Sequence, residues 1–520
     1  MDTTMTGEMR LVDLLAALSL VADLGMGQPP EEALRACLLA TTLARRMGVD
    51  ADDGRDVYYT TLLRYIGCTS YAHEEAALAG GNDIALRAAG ARVDFGNPRE
   101  ALPFMLGTIG CSASLPRRVG LIGGLIVAMG RGDTTLERSH CEVASAMARR
   151  IGLGRGIQQS LAQLFERWDG KGAPRKLAAD NIALPARFAQ VATQALLFAR
   201  LNGLDAALSM IRQRAGTALD PSIASAFLLD GPALLTEMAA TDVWAAVVDA
   251  EPDPPHWIAE AQLDAVARAF ADMVDLKVPC MRGHSSGVAA LAEGAAHALG
   301  LPTAEAVAMR RASLLHDLGR VGVPNGIWEK RGTLTRGEWE QVRLHPYHTE
   351  RILACAPVLA PLARIAGMHH ERQDGSGYHR QAAGAMVPLT ARVLAAADAY
   401  QAMTQERPHR PALPPLAAAR QLAAGMAAGH LDADAVGAVL TMAGQGQTRA
   451  RRTWPAGLSD REVEVLRLIA GGCSYRDVAR LLTITPKTAE HHISHIYTKI
   501  EVSTRAAAAL FAMEHDLVTH

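Results

Sequence analysis

Seven side chains between positions 284 and 398 have the types needed to hold metal: His284, His316, Asp317, His345, His369, His370 and Asp398. Imidazole and carboxylate together suit Fe, Mn, Zn or Ni, and the absence of thiolate from the set argues against a closed structural zinc site. Seven candidates exceed the needs of one ion. Two divalent ions a few Å apart, sharing a bridging carboxylate, would use them, activate water near neutral pH and clamp a phosphoryl oxygen. Arg320 lies four residues after His316 and would share its face if the helix through "MRRASLLHDLG" continues to Gly319. A guanidinium beside metal suits a phosphate. Asp398 sits in the apolar stretch "RVLAAADAYQAM", where a carboxylate is costly unless it binds something.

Any one of these histidines alone would read as a surface or satisfied core residue. An internal repeat gives the set its weight. "LLRYIG" (62–67) matches "LLHDLG" (314–319), an offset of 252 that also pairs Gly48 with Gly300 and Glu32 with His284. "LFERWDGKG" (164–172) matches "HHERQDGSG" (369–377), an offset of 205 that also pairs His140 with His345 and Arg187 with Arg392. The two blocks imply a duplication with 47 extra residues in the first copy. In that copy Arg64 and Tyr65 stand opposite His316 and Asp317, Leu164 and Phe165 opposite His369 and His370, and Thr193 opposite Asp398. The turn glycines Gly67, Gly170 and Gly172 are kept. One copy is read as built for chemistry, the other for architecture or sensing. His73, Glu74 and His140 are the polar candidates left in the first copy, His140 as a structural residue.

The elements that position these groups are read as helices. The chain has 520 residues, about three domains' worth, with 49% hydrophobic and 4% aromatic residues and few alternating strand-like windows. An all-α protein is expected. The net charge of −2 excludes a polycation, so a nucleic-acid surface must be local. Seven scattered cysteines without a CxxC pair fit a reducing compartment. The N-terminal stretch lacks a basic leader, and the apolar run 119–130 is too short to span a bilayer. The expectation is a cytoplasmic protein with no membrane partner.

The last part of the chain reads differently. Gly, Gln, Pro and Arg between 443 and 457 form a linker with Arg449, Arg451 and Arg452, and four short helices follow, near 460–470, 475–482, 486–500 and 504–514. In the third, Thr485 can cap, Pro486 suits the first turn, and Ala489, Ile493, Ile496 and Ile500 make a buried stripe. Lys487, Thr488, Glu490, His491, Ser494 and Lys499 are left to face outward, the pattern of a helix-turn-helix. Acids nearly balance bases here, so a dimerisation tail is the alternative.

Two resemblances follow from these residues. "GHSSGVAALAEGAAHALGL", "LLHDLGRVGVPNGIWEKRGTLTRGEWEQVRLHP", "HHERQDGSGYH" and "ADAYQAMTQERPHR", covering about 280–410, resemble the HD-GYP subgroup of HD-domain metal phosphohydrolases. The resemblance implies a helical domain whose two metal ions hydrolyse phosphodiesters, cyclic di-GMP being the best-known substrate. Carried over, all seven residues become ligands, Asp317 bridges the ions and is catalytic with Arg320, and Arg320, Gly377 and Tyr378 meet substrate. Three positions depart: His379 replaces the Pro of "GYP", Arg320 replaces a Lys, and Cys280 stands where some members place a Glu for a third ion. "LSDREVEVLRLIAGGCSYRDVARLLTITPKTAEHHISHIYTKIEVSTR" resembles the LuxR-type DNA-binding domain over 458–517, which implies that Lys487, Thr488, Glu490, His491, Ser494 and Lys499 face DNA. His495 and Glu501 stand where that family commonly has Asn and Gly.

The sequence thus predicts a degenerate HD-like domain (1–255, sensor or dimerisation), an HD-GYP-like phosphohydrolase domain (256–442), a linker (443–457) and a LuxR-type domain (458–520). The expected protein is a homodimeric transcriptional regulator that binds DNA and hydrolyses a nucleotide or cyclic dinucleotide. The alternative is a ligand-sensing transcription factor that binds the nucleotide without turnover.

Overall fold

The computed structural model describes residues 8–111, 113–130, 133–444 and 454–518. The chain divides into two compact units, Met1–Leu263 and Asp264–His520. Both are helical, as expected. The only sheet among the described residues is a ribbon in the first unit, Glu8–Arg10 antiparallel to Trp257–Ala259. Ile258 lies in the ribbon, and the helix that follows it runs Glu260–Asp275.

The duplication is visible helix by helix. Glu32–Arg46 and Ala51–Leu62 recur as His284–Ala298 and Thr303–Leu315, an offset of 252 (from 32 to 284). Arg155–Leu161 and Leu184–Asn202 recur as Ala360–Gly367 and Leu389–Thr404, an offset of 205 (from 155 to 360). The extra residues of the first copy form three helices, Asp83–Gly90, Pro98–Thr108 and Leu115–Gly130. Leu115, Val119, Ile126 and Val127 on the last of them are exposed.

Each copy folds around its own core. Leu39, Leu43, Phe188, Val191, Ile211 and Phe227 fill the first. Val288, Ala292, Ala296, Val393, Ala397 and Val439 fill the second. Alanine at so many of these positions lets the helices approach closely. A glycine sets the same close crossing in both copies: a Cβ at Gly67 would collide with the His140 carbonyl oxygen, and one at Gly319 with that of His345. A long-range ion pair also recurs, Arg187 with Asp220 at 2.8 Å and Arg392 with Asp432 at 3.0 Å.

The second unit also contains the C-terminal head, with helices Asp460–Ala470, Tyr475–Leu481, Pro486–Lys499 and Arg505–Glu514. Ser459 with Glu462 and Ser474 with Asp477 form capping boxes, and Thr485 caps the third helix ahead of Pro486. Ala489, Ile496 and Ile500 are buried as the stripe predicts, while Ile493 is only partly covered. Most of the expected linker, with Arg449, Arg451 and Arg452, lies outside the described residues. Among the described residues no single helix is long and apolar enough to cross a membrane.

Candidate metal centre

The sequence reading carried the helix before His316 on to Gly319. It stops at Leu315 instead, and a 3-10 turn, Leu318–Gly322, follows. Thr349 fastens this break: its hydroxyl donates to the His316 carbonyl (2.9 Å) and accepts from the Gly319 amide (2.9 Å). Arg320 therefore reaches the site through the tighter turn and not through helical spacing. Its Nη1 donates to Asp317 Oδ2 at 2.7 Å, and its guanidinium lies 4.1 Å from the centre of the Trp328 ring.

The other candidates arrive from separate elements. His284 opens the helix His284–Ala298, His345 opens His345–Ala354, His369 and His370 follow Ala360–Gly367, and Asp398 comes from Leu389–Thr404. All are buried except His370, which is partly exposed. They converge. Asp317 Oδ2 lies 3.3 Å from His316 Nε2 and 3.8 Å from His284 Nε2, while Oδ1 lies 3.3 Å from His345 Nε2 and 3.7 Å from His369 Nε2. Asp398 Oδ1 is 3.0 Å from His284 Nε2, and its Oδ2 is 3.9 Å from His370 Nδ1. Three groups have ligand atoms close enough to share an ion: His345, His369 and His370; His284, His316 and Asp398; and His316, Asp317 and His369.

The tautomers decide whether a cation fits. The Nδ1 atoms of His316, His345 and His369 donate to the carbonyls of Ser313 (2.6 Å), Val342 (2.6 Å) and Ala366 (2.5 Å). Each Nε2 then presents a lone pair. Two of these, on His345 and His369, face each other at 3.2 Å, and His316 Nε2 is buried without a hydrogen-bond partner. Opposed lone pairs beside carboxylates repel one another unless a cation lies among them, so the residues fit divalent metal.

Burial by itself would raise the Asp317 carboxyl, but the Arg320 guanidinium and the surrounding imidazoles outweigh it and hold the group well below the usual carboxylate range. Asp398 is likewise held low against burial by His284 and its neighbours. Burial lowers His284, burial and neighbouring imidazoles lower His369 further, and burial brings His370 down to about 3. The centre thus presents anionic carboxylates, with His284, His369 and His370 biased to the neutral form, the protonation states that metal requires.

The mouth of the site is formed by the loop after His370. The Tyr378 ring stacks on His370 with centroids 4.3 Å apart. A Cβ at Gly377 would collide with Glu371, whose carboxylate accepts the Arg380 (3.1 Å) and Ala382 (2.9 Å) amides and so folds the loop back. His379, the departure from Pro, has its Nε2 3.8 Å from Glu350 Oε2. The sequence reading missed Gln405, whose Oε1 is 2.9 Å from His284 Nδ1, and Arg407, whose Nη2 is 3.5 Å from the same atom. Gln405 falls seven residues after Asp398, two helical turns along one face, and that spacing was the available signal.

In the first unit the matching positions hold something else. Glu32 is buried 3.4 Å from Arg200 Nε. His140 Nε2 contacts the Arg64 carbonyl at 3.1 Å, and its ring meets Phe165 edge to face at 5.0 Å. Thr193 spends its hydroxyl on the Ala189 carbonyl at 2.7 Å. Glu166 still accepts the Arg175 (2.7 Å) and Leu177 (2.9 Å) amides, as Glu371 does in the second copy. The loop scaffold is retained and the cluster of ligand types is not.

In the head, Lys487, Thr488, Glu490, His491 and Ser494 are exposed on the third helix. Lys499 is engaged: its Nζ donates to Glu462 Oε2 (2.8 Å) and to the Gly457 carbonyl (3.2 Å).

Comparison with known proteins agrees with both halves of this description. Residues 268–435 match the HD domain family, and residues 456–512 match the bacterial regulatory proteins of the luxR family. The chain is 30% identical over 407 residues to 3'3'-cGAMP-specific phosphodiesterase 3 of Vibrio cholerae, covering 78% of this chain and 88% of the relative. It is 40% identical over 128 residues to a cyclic di-GMP phosphodiesterase of Pseudomonas aeruginosa, covering 24% of this chain and 31% of that protein. A crystal structure of a V. cholerae cyclic GMP-AMP-specific phosphodiesterase superposes with a TM-score of 0.59 at 26% identity, covering 85% of this chain and 99% of that one. The chain belongs to the HD-domain phosphodiesterases, metal-dependent phosphohydrolases, and joins to that domain a LuxR-family DNA-binding domain.

Proposed function

We propose that the second copy hydrolyses a phosphodiester of a cyclic dinucleotide, with 3'3'-cGAMP and cyclic di-GMP as the first substrates to test. The observation that carries this reading is the convergence of backbone-fixed imidazole lone pairs and two buried carboxylates beside Arg320. His284, His316, Asp317, His345, His369, His370 and Asp398 would hold two divalent ions of the Fe, Mn, Zn or Ni type. When bound, such ions lower the pKa of coordinated water and offset negative charge on phosphorus oxygens.

The chain's own residues do the rest. Arg320, braced by Asp317 and Trp328, presents a fixed cation to a non-bridging phosphoryl oxygen and stabilises the charge that builds there. Tyr378, stacked on His370, offers a face to a base or ribose, and Gly377 keeps the loop backbone close to the substrate. Burial of the centre keeps bulk water away from these interactions. Lys487, Thr488, Glu490, His491 and Ser494 meet DNA, and two copies of the chain pair so that two heads read two half-sites. The domain limits proposed are 1–255, 256–442 and 458–520, with a linker at 443–457, and the protein works in the cytoplasm without a membrane partner.

The test is phosphodiesterase assay of the purified chain with Mn²⁺, Fe²⁺ or Ni²⁺ against both cyclic dinucleotides, alongside Asp317→Ala. Linear dinucleotide or mononucleotide product that disappears in the variant supports the reading. Nucleotide binding with no product under any metal would make the domain a sensor instead.

A further inference from the structure

His284 stands two residues after Arg282, and Arg282 is where the head rests on the metal-binding domain. The Arg282 side chain is only 6% exposed. Its Nη1 donates to the carbonyl of Ala470, the last residue of the head's first helix. Beside this contact Gly472 abuts Pro279 so closely that a Cβ on it would lie 2.9 Å from the proline Cβ. Arg505, from the head's last helix, steadies the same turn with Nη1 3.4 Å from the Gly472 carbonyl. The head therefore leans on the short turn Pro279–Met281 that leads into His284.

The other side of that turn is gripped by Arg407. Its Nη1 donates to the Cys280 carbonyl at 3.3 Å and touches Met281 Sδ. Its Nη2 lies 3.3 Å from Gln405 Oε1 and 3.5 Å from His284 Nδ1. Gln405 Oε1 is itself 2.9 Å from His284 Nδ1 and so orients the imidazole. An unbroken line of contacts runs from Ala470 through Arg282, the turn and Arg407 to a candidate metal ligand.

The energetics of Arg282 make this line a switchable one. Its Nε is buried without a hydrogen-bond partner. A helix C-terminus is a favourable place for a cation, but one carbonyl repays only part of the cost of removing a guanidinium from water. Release of the head would return Arg282 to solvent, and the relief of that desolvation offsets part of what docking gains. The exposed Arg268–Asp516 pair at 3.5 Å adds little to the docked state.

We propose that Arg282 and Arg407 are positioning residues through which head docking and the setting of His284 are coupled, so that metal occupancy and DNA affinity depend on each other. The proposal rests on the metal-centre reading above and adds its regulation. A docked head has one orientation, whereas two half-sites require both heads at a fixed spacing, so DNA distinguishes the two states. Whatever coupling metal exerts on DNA, DNA must exert equally on metal.

The experiment uses the full chain and a DNA duplex selected on it from a random pool. Fluorescence anisotropy measures DNA affinity for metal-free and Mn²⁺-loaded protein, with metal content determined in the same samples. The affinities are expected to differ at least threefold in the wild type, to coincide in Arg282→Gln, and to separate again in Arg282→Lys, which keeps the cation. Amide exchange at 279–283 is expected to change when DNA binds wild type and not Arg282→Gln. Equal affinities in loaded and metal-free wild type, or a difference that survives Arg282→Gln, overturns the proposal. A metal-dependent DNA affinity in a protein that hydrolyses neither cyclic dinucleotide would sink the hydrolytic reading and leave this coupling in place.

Discussion

Arg320 Nη1 lies 2.7 Å from Asp317 Oδ2, so one carboxylate serves both the guanidinium and the histidine cluster. The two residues have separable tasks. Arg320→Met is expected to retain metal, because the histidines and Asp398 remain, and to lose ~10²–10³ in kcat, the usual cost of removing one charge-stabilising donor. Asp317→Ala is expected to lose both turnover and metal. Metal analysis beside steady-state kinetics on the two variants checks this.

Chelation should destabilise the second copy selectively. Metal at a hundredfold excess over its dissociation constant stabilises by about 2.7 kcal/mol, and its removal leaves lone pairs and carboxylates facing one another. Thermal unfolding with and without chelator, followed by limited proteolysis, is expected to show residues beyond 263 cut first and those before it unaffected.

His140 gives the first copy a pH signature. Burial lowers its pKa to about 4, while an unfolded chain takes up that proton near 6.5. The unfolded state then binds more protons below neutrality, so stability attributable to His140 falls as pH drops from about 6.5 towards 4, by about 3 kcal/mol in all. His140→Gln should show a shallower loss over that window in denaturant titrations at stepped pH.

The two crossing glycines allow a matched test. Gly67→Ala and Gly319→Ala each force a methyl against a backbone carbonyl, and each should cost about 1–3 kcal/mol. Only Gly319→Ala should also lower bound metal, because only its neighbours His316, Asp317 and His345 belong to the ligand cluster. Urea titration and metal content on both variants decide it.

In the head, Lys487→Ala should weaken DNA binding across sequences and reduce the salt slope by about 1. Lys499→Ala should chiefly lower the melting temperature of the head, because it breaks the contact with Glu462. Salt-titrated anisotropy and calorimetry separate the two outcomes.

Much of this was legible beforehand because spacing and residue type survive translation into three dimensions. The offsets of 252 and 205 reappear as aligned helices, and the four helices of the head fall where caps and apolar stripes place them. The end of the helix at Leu315 was not legible. "SLLHDLG" has helical composition throughout, and the break depends on the Thr349 hydroxyl, thirty-odd residues away, capturing the His316 carbonyl. Arg407 and Arg282 were also hidden, since their significance lies in contacts with His284 and Ala470 that no local pattern encodes. Lys499 looked outward by periodicity, but Glu462 from a different helix claims it.

Glu166 and Glu371 brace equivalent loops although only one loop lies beside the ligand cluster. The backbone frame is thus inherited apart from the reactivity it once supported. His140 is still in place, and converting Glu32, Arg64, Leu164, Phe165 to His and Tyr65, Thr193 to Asp would re-create the full donor pattern on a scaffold already shaped for it. A dormant half of this polypeptide is therefore a ready chassis for an engineered second reaction chamber.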